Sequence, residues 1–558
     1  MKNMKTNIKG LFLSSLALLA VGCTDLDVSV DSQYTEYPTN DIAVEAKMAD
    51  IYYHFSGVLG RRYMEAMGLS SDEWTAASYG GGWYDGGAYA HPSLHNYSYE
   101  DATLDWYGTV TEGISKANKA IQDLGGNDAG AAVAPARAIR AYFHWIIMDG
   151  WGDIPILDRI PGDGETVARQ PRADVTKWLE SELLAVIPEL TTEVNENTYG
   201  KPTRWMAEAL LAKIYINWPV YTASAVENYD AATAKNEKLA DCINMCNDII
   251  NSGKFNLGSM SYREKFAYNN GPQVEDFIYA MPYDTQTRQG MQYGRSRCWK
   301  NIKKMAKSYF GMALSQSGGG YMTMTPEFVR KTFILEGDER NKCVIGLSSN
   351  PDDYRYVEGQ DENTVYVYNP SSLAMTNEVA RIEGADSDPL VLKVDVTPME
   401  MGDGTLDVGD NLNGYCQGCR SVKWYVIDDD FKNGRNQSND VPLLRFADVL
   451  LMKAEALTRQ SGGSAEAMAL FNQIRSYAKA PELDHNPSLE EIYDERGREF
   501  FDENWRRNDM IRFGHFEDKY YPHNDDFGDA RFDKTCRIFP IHKDILNLNP
   551  TWKQNAGY

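Results

Sequence analysis

The sequence predicts a mostly helical protein in which paired helices build a scaffold and a large irregular insertion, rich in loops and short strands, is laid onto it. Two observations carry this. Outside the middle of the chain, apolar residues recur at helical spacing, and the helices they mark come in pairs joined by short Gly- or Pro-marked turns, so each pair buries a face against the next. Between about 255 and 435 that periodicity fades. There Gly, Asn, Asp and Tyr dominate, and TVYVYNP, LVLKVDV and SVKWYVIDD read as strands. At 558 residues, 43% hydrophobic and 24% charged, the composition suits a large soluble core.

Taken in order, the chain opens with Lys2, Lys5 and Lys9 ahead of an apolar run at 11–21, too short to span a bilayer. LLAVGC then resembles a bacterial lipoprotein box ending at Cys23, with Ala20 where a large aliphatic residue is usual. We therefore expect a signal peptide at 1–22, a lipid anchor at Cys23, an acidic tether at 23–40 and one domain over 41–558. Its scaffold would run over about 41–254 and 436–558, with the insertion at about 255–435.

Asn40 caps the first expected helix, whose stripe is Ile42, Val44, Met48, Ile51, Phe55 and Val58. A helix at about 104–124 closes at Gly125–Gly126, and Pro135 suits the first turn of the next, which ends at a Gly break near 152. Further patterns lie at 173–190, 202–218 and 233–252, from near Pro442, and at 464–480 and 488–512. The pairs are similar to tetratricopeptide-type repeats, without a strict period.

Lys and Arg number 56 against 80 Asp and Glu, a formal charge of -24. Nucleic-acid binding needs basic surface, so this balance argues against it, and also against strongly acidic polysaccharides. Of the 8 cysteines, Cys242 and Cys246 have the spacing of buried small hydrophobes on one helix. CQGC at 416–419 has no matching second pair, so neither a zinc site nor a disulfide is established there.

One stretch fits no packing pattern. SYGGGWYDGGAYAHPSLHNYSY, at 78–99, sets a tryptophan and five tyrosines on Gly-rich backbone, with neither helical nor alternating periodicity. Rings held this way suggest flat surfaces for a ligand to lie on.

Four further stretches carry a family resemblance. ERGREFFDENWRRNDMIRFG at 495–514 resembles a signature helix of the SusD/RagB family, with Asn504 in place of the usual glycine and Asn508 where an aromatic is common. VPLLRFADVLLMKAEALTR, RAYFHWIIMDGWGDIPIL and the closing RIFPIHKDILNLNPTWKQNAGY are similar to three more of its segments, in family order. The resemblance implies a helical scaffold of four tetratricopeptide-like pairs with a loop-built ligand face. It implies a lipid-anchored outer-membrane protein of the cell surface that captures glycan and delivers it to a TonB-dependent, SusC-like transporter. Some RagB-like relatives deliver peptides, which is the alternative.

A sugar ring presents C–H faces that an aromatic ring covers, and rim hydroxyls that need short polar partners. On this chemistry the candidate ligand-binding residues are Trp83, Tyr84, Tyr89, Asp85 and Asn96 from the aromatic loop. SDEW adds Asp72 and Trp74, with Glu73 between them; MQYGRSRCWK adds Tyr293, Arg295 and Trp299, with Arg297 beside them; SGGGYMTMTP adds Tyr321. The ligand expected is a neutral oligosaccharide.

The rival class is a glycosidase, since Glu495, Glu499 and Glu503 lie at helical spacing. They interleave with Arg496, Arg498, Arg506, Arg507 and Arg512, which points to a salt-bridge network rather than a general acid. No GxSxG, HExxH, P-loop or dinucleotide fingerprint is present, and no catalytic residue, metal site or cofactor is expected. DGTLDVGDNLNG at 403–414 hints at a calcium turn but fails the EF-hand order.

Overall fold

The structure, a computed structural model, describes residues 41–76, 89, 91–297, 316, 318–345, 364–369, 374–381, 419–424, 426–520 and 530–558. The chain divides into compact units at 1–47 and 48–558. The first is described only over the opening turns of α1 (Asp41–Tyr52); everything below concerns the second.

The fold is mostly helical. After α2 (Met64–Leu69) come α3 (Tyr107–Asp123), α4 (Ala134–Trp151), α5 (Arg172–Val186), α6 (Arg204–Ile216) and α7 (Leu239–Asn251). The scaffold resumes with α8 (Phe446–Ser461), α9 (Ala465–Tyr477), α10 (Leu489–Phe500) and α11 (Arg506–Phe513). Each of α3 to α7 packs on the next, α7 packs on α8, α8 on α9 and α10, and α10 on α11. This is the stacking expected of helix pairs that cannot bury their apolar faces alone. Pro135 sits in the first turn of α4, where its missing N–H costs nothing, and α4 is buried almost all round, with Trp145 and Trp151 in the core. Cys242 and Cys246 are buried on α7.

Two expected helices are corrected. The segment beginning near Pro442 opens as strand β8 (Val441–Arg445), not helix, because it pairs with β2 (Phe277–Met281), and α8 starts only at Phe446. Tertiary pairing overrides the helical pattern there. The pattern at 488–512 is two helices, because Asp502 (φ 61°) and Asn504 (φ 71°) between them take the left-handed conformation that no helix interior allows.

All strands pair antiparallel in twos: β1 (Trp74–Ala76) with β3 (Met322–Met324), β2 with β8, β4 (Val344–Ile345) with β7 (Arg420–Ser421), and β5 (Thr364–Asn369) with β6 (Ala374–Arg381). The first two pairs each join a strand from one flank to a strand between 255 and 435. Backbone closeness helps hold that region down. Gln292 N donates to Gly60 O at 3.0 Å, and a Cβ on Gly60 would lie 2.0 Å from Gly290 O, so only glycine permits the contact.

Candidate functional site

The carboxylate-rich helix carries the glutamates that a glycosidase reading singles out. A capping box between Ser488 and Glu491 starts α10, and its inward face carries Glu495 and Glu499, with Glu503 just beyond, all buried. Glu495 meets Arg340 at 2.8 Å and Arg498 at 3.0 Å, with Arg475 closer still. Glu499 meets Arg445 at 2.9 Å and Arg340 at 3.2 Å. Glu503 meets Arg445 at 2.8 Å and Lys423 at 2.5 Å. On the other side, Asp509 bridges Arg496 (2.8 Å) and Arg512 (2.7 Å), and Arg512 also meets Glu455 at 2.9 Å.

Burial alone would raise the Glu495 carboxyl, but the guanidiniums of Arg340, Arg498 and Arg475 outweigh it and hold the group at about 2. A carboxyl ionised at that pH carries no proton to donate at neutrality, so Glu495 is no general acid. The network does mechanical work instead. Arg340 and Lys423 come from the region between 255 and 435, and Arg445 also grips Asp276 at 2.6 Å, so α10 is the anchor to which that region is tied.

The expected ring residues fare unequally. Trp74 is wholly buried, with the Arg297 guanidinium 4.6 Å from its ring centre. Arg297 is in turn paired with Asp502, Nε to Oδ2 at 2.9 Å. Tyr293 is buried edge-on to Trp424 at 5.6 Å, and its hydroxyl accepts from Asn504 Nδ2 at 3.0 Å. Tyr321 is buried with its hydroxyl donating to Glu65 and its ring 4.6 Å from Tyr89. These rings have no face to offer a ligand: Trp74, Tyr293 and Tyr321 are packing residues, which corrects the expectation of a platform that includes them. Asp72 is gripped by Arg506 in a two-point pair at 2.7 and 2.9 Å, which fastens the entrance of β1 to α11. Glu73 is buried beside it, and burial, with the Asp502 charge adding, pushes its carboxyl well up.

Solvent reaches a different set. Asn96 is exposed. Tyr89 is not part of it: its ring is buried against Tyr321, which corrects its place among the expected ligand-binding rings, and its hydroxyl accepts from Arg61 Nη2 at 2.7 Å and Arg62 Nη1 at 3.3 Å. Both arginines lean on the buried Glu65, at 3.1 and 3.0 Å, and remain about a quarter exposed. Arg295 is partly exposed on the short helix Tyr293–Arg297. Trp83, Tyr84, Asp85 and Trp299, like Cys23 and the 403–414 turn, lie outside the described residues. Arg61 and Arg62 were not among the candidates read from the sequence, where they are legible only as a basic pair one turn before Glu65. Among the described residues no cluster of His, Cys, Asp and Glu is arranged to hold a metal ion, and no helix is long and apolar enough to cross a membrane.

The model of the SusD family matches residues 275–558, about half of the chain. This chain belongs to the SusD family. A second family model, described as starch-binding associating with outer membrane, matches residues 26–216. The starch-binding protein SusD of Bacteroides thetaiotaomicron is 22% identical over 436 residues, 76% of this chain and 72% of that one. A SusD homologue from the same species superposes with a TM-score of 0.67 at 16% identity, covering 94% of this chain and 98% of that one. Surface glycan-binding protein A from Bacteroides uniformis gives a TM-score of 0.67 at 17% identity, over 92% and 99% of the two chains.

Both SusD-signature departures noted in the sequence have physical reasons. Asn504 replaces a glycine at φ 71°, and asparagine is the side chain best able to take that conformation. Asn508, in an aromatic's place, donates to Asp149 Oδ1 at 2.9 Å and completes a buried polar group with Tyr221 and Trp145.

Proposed function

We propose that this SusD-family protein is a lipid-anchored cell-surface receptor that captures an oligosaccharide and delivers it to a TonB-dependent, SusC-like outer-membrane transporter. The observation that carries the reading is the match, over three-quarters of the chain, to a protein whose own name is starch-binding. Its support from geometry is negative and positive together. Glu495 is held at about 2 and cannot donate a proton at neutral pH, and the partly exposed polar groups Asn96, Arg61 and Arg295 suit sugar hydroxyls. Trp83, Tyr84, Asp85 and Trp299 are the proposed stacking and hydrogen-bonding residues, and Cys23 is the proposed anchor.

Calorimetry of the mature protein against a panel of neutral oligosaccharides tests this. Losing one stacking ring costs roughly 1–3 kcal/mol. Against the total of about −4 to −8 kcal/mol for millimolar to micromolar binding, Trp83→Ala should nearly abolish uptake of heat while leaving Tm unchanged. A lowered Tm with intact affinity would make Trp83 a packing residue like Trp74. Separately, Cys23→Ala should release the protein from the membrane fraction; retention there overturns the anchor.

A further inference from the structure

We infer that the junction between the helix Tyr293–Arg297 and the turn at 434–436 is a subsite for one anionic substituent, a carboxylate or sulfate, on the glycan ligand. The inference rests on the glycan-binding reading above. It begins from Arg435, which has three unfavourable features at once. Its backbone is left-handed at φ 64°, a conformation unfavourable for any residue with a Cβ. Its Nε is buried and has no hydrogen-bond partner, which is costly for a charged group. Among the described residues its guanidinium meets no carboxylate, and the charge that acts on it is Arg295. Burial first, then the Arg295 charge, push its pKa down.

The two arginines are held in place by built structure. Gln292 sits between them: its Oε1 accepts from Arg295 Nη1 at 3.2 Å, and its Nε2 donates to Gly434 O and Asn436 Oδ1, both at 3.4 Å. Gly294 N donates to Gln437 Oε1 at 2.6 Å, and a Cβ on Gly294 would lie 2.2 Å from Val426 Cγ2 and 3.1 Å from Gln437 Oε1, so only glycine lets the helix sit against these side chains. Acidic residues stand nearby but are committed elsewhere. Asp429 pairs with Lys432 at 2.8 Å, and Asp430 accepts from Ser438 N at 3.0 Å.

In a chain carrying 24 excess negative charges, a carboxylate to neutralise this pair would be easy to supply, yet among the described residues none does. Unsatisfied, strained, like-charged groups that the fold leaves uncompensated mark sites where a ligand completes the set. Two guanidiniums, one of them without a hydrogen-bond partner among the described residues, match a carboxylate or sulfate. The global charge does not forbid this, because screening confines each charge to about 8 Å in physiological salt. The ligand is thus a glycan that is neutral along most of its length and carries an acidic group where it meets Arg295 and Arg435.

The test titrates the mature protein with methyl glucuronide, glucose 6-sulfate and methyl glucoside, read by ligand-observed NMR. Wild type should favour one of the two anions over the neutral glucoside by roughly tenfold, and the stronger of the two names the substituent. Arg435→Gln should erase that preference without lowering Tm, and so should about 0.5 M NaCl. Equal binding of all three by wild type, or an unchanged preference in Arg435→Gln, overturns the subsite. Should neutral sugars bind but no anion be preferred, the subsite falls and the glycan reading stands. If the anions bind through Arg435 while no neutral oligosaccharide of the panel binds, the subsite stands and the glycan reading falls.

Discussion

Two arginine-rich regions of this molecule are built on opposite terms. Around α10 and α11 the buried Glu495, Glu499, Glu503 and Asp509 each have at least one cation against them, and Arg445 alone serves Asp276, Glu499 and Glu503 at 2.6 to 2.9 Å. At the junction of the helix Tyr293–Arg297 with the turn at 434–436, Arg435 has another arginine for its neighbour and an unpartnered Nε. In the first region charge is satisfied internally, so it positions other elements and leaves nothing for a ligand. In the second the backbone of Arg435 is strained at φ 64°, and among the described residues no carboxylate meets its charge. An arginine-rich stretch therefore does not announce its role; the placement of its carboxylates does.

The largest expected effect breaks the first region. Arg445→Ala leaves three carboxylates buried without their shared cation, and removing one partner of such a set costs about 3–5 kcal/mol. Urea denaturation should show the midpoint falling accordingly. A midpoint within 1 kcal/mol of wild type, as an approximate bound, would mean that the network is not what ties the region between 255 and 435 to the scaffold.

A buried base sharpens the same contrast. His144 donates from Nδ1 to Arg140 O at 2.8 Å and accepts at Nε2 from Leu157 N at 2.9 Å. The nearby Glu182 is already taken by Arg137 and Arg140, both at 2.6 Å. Burial, against the pull of the Arg140 carbonyl, therefore lowers His144 to about 4. A base with a depressed folded pKa adds stability that is complete above its unfolded value and is lost as pH falls from 6.5 towards 4. The loss attributable to this ring is about 3 kcal/mol. His144→Gln should flatten the stability profile over that window, and an unchanged acid slope would assign it to other groups.

The smallest effect belongs to the second region. Arg435→Gly removes a strained side chain that the fold does not use, so stability should rise by up to about 1 kcal/mol. A loss of comparable size in thermal denaturation would show that the guanidinium supports the fold after all, and would move Arg435 into the class of Arg445.

By itself the sequence determined the helical scaffold, because period and caps are local: the Pro135 start of α4 and the Gly125–Gly126 close of α3 both stand where the pattern put them. It also signalled that Glu495, Glu499 and Glu503 belong to a salt-bridge network, but of the arginines interleaved with them only Arg498 meets one, Glu495; Arg340, Arg445, Arg475 and Lys423, brought in by the fold, supply the rest. Composition showed that rings were abundant, but not which of them face water. Trp74 and Tyr321 read like binding rings and are walls of the core, because β1 and β3 pair across some 250 residues of chain and close over them. The strand at Val441–Arg445 is a second such case, decided by its partner Phe277–Met281 and not by its own helical pattern. Likewise the meeting of Arg295 with Arg435 spans 140 positions of chain, and is made by Gln292 and by the missing Cβ of Gly294. Periodicity and capping act over a few residues and are written in order along the chain. Exposure, and the neighbours of a charge, are properties of pairs that only folding brings into contact.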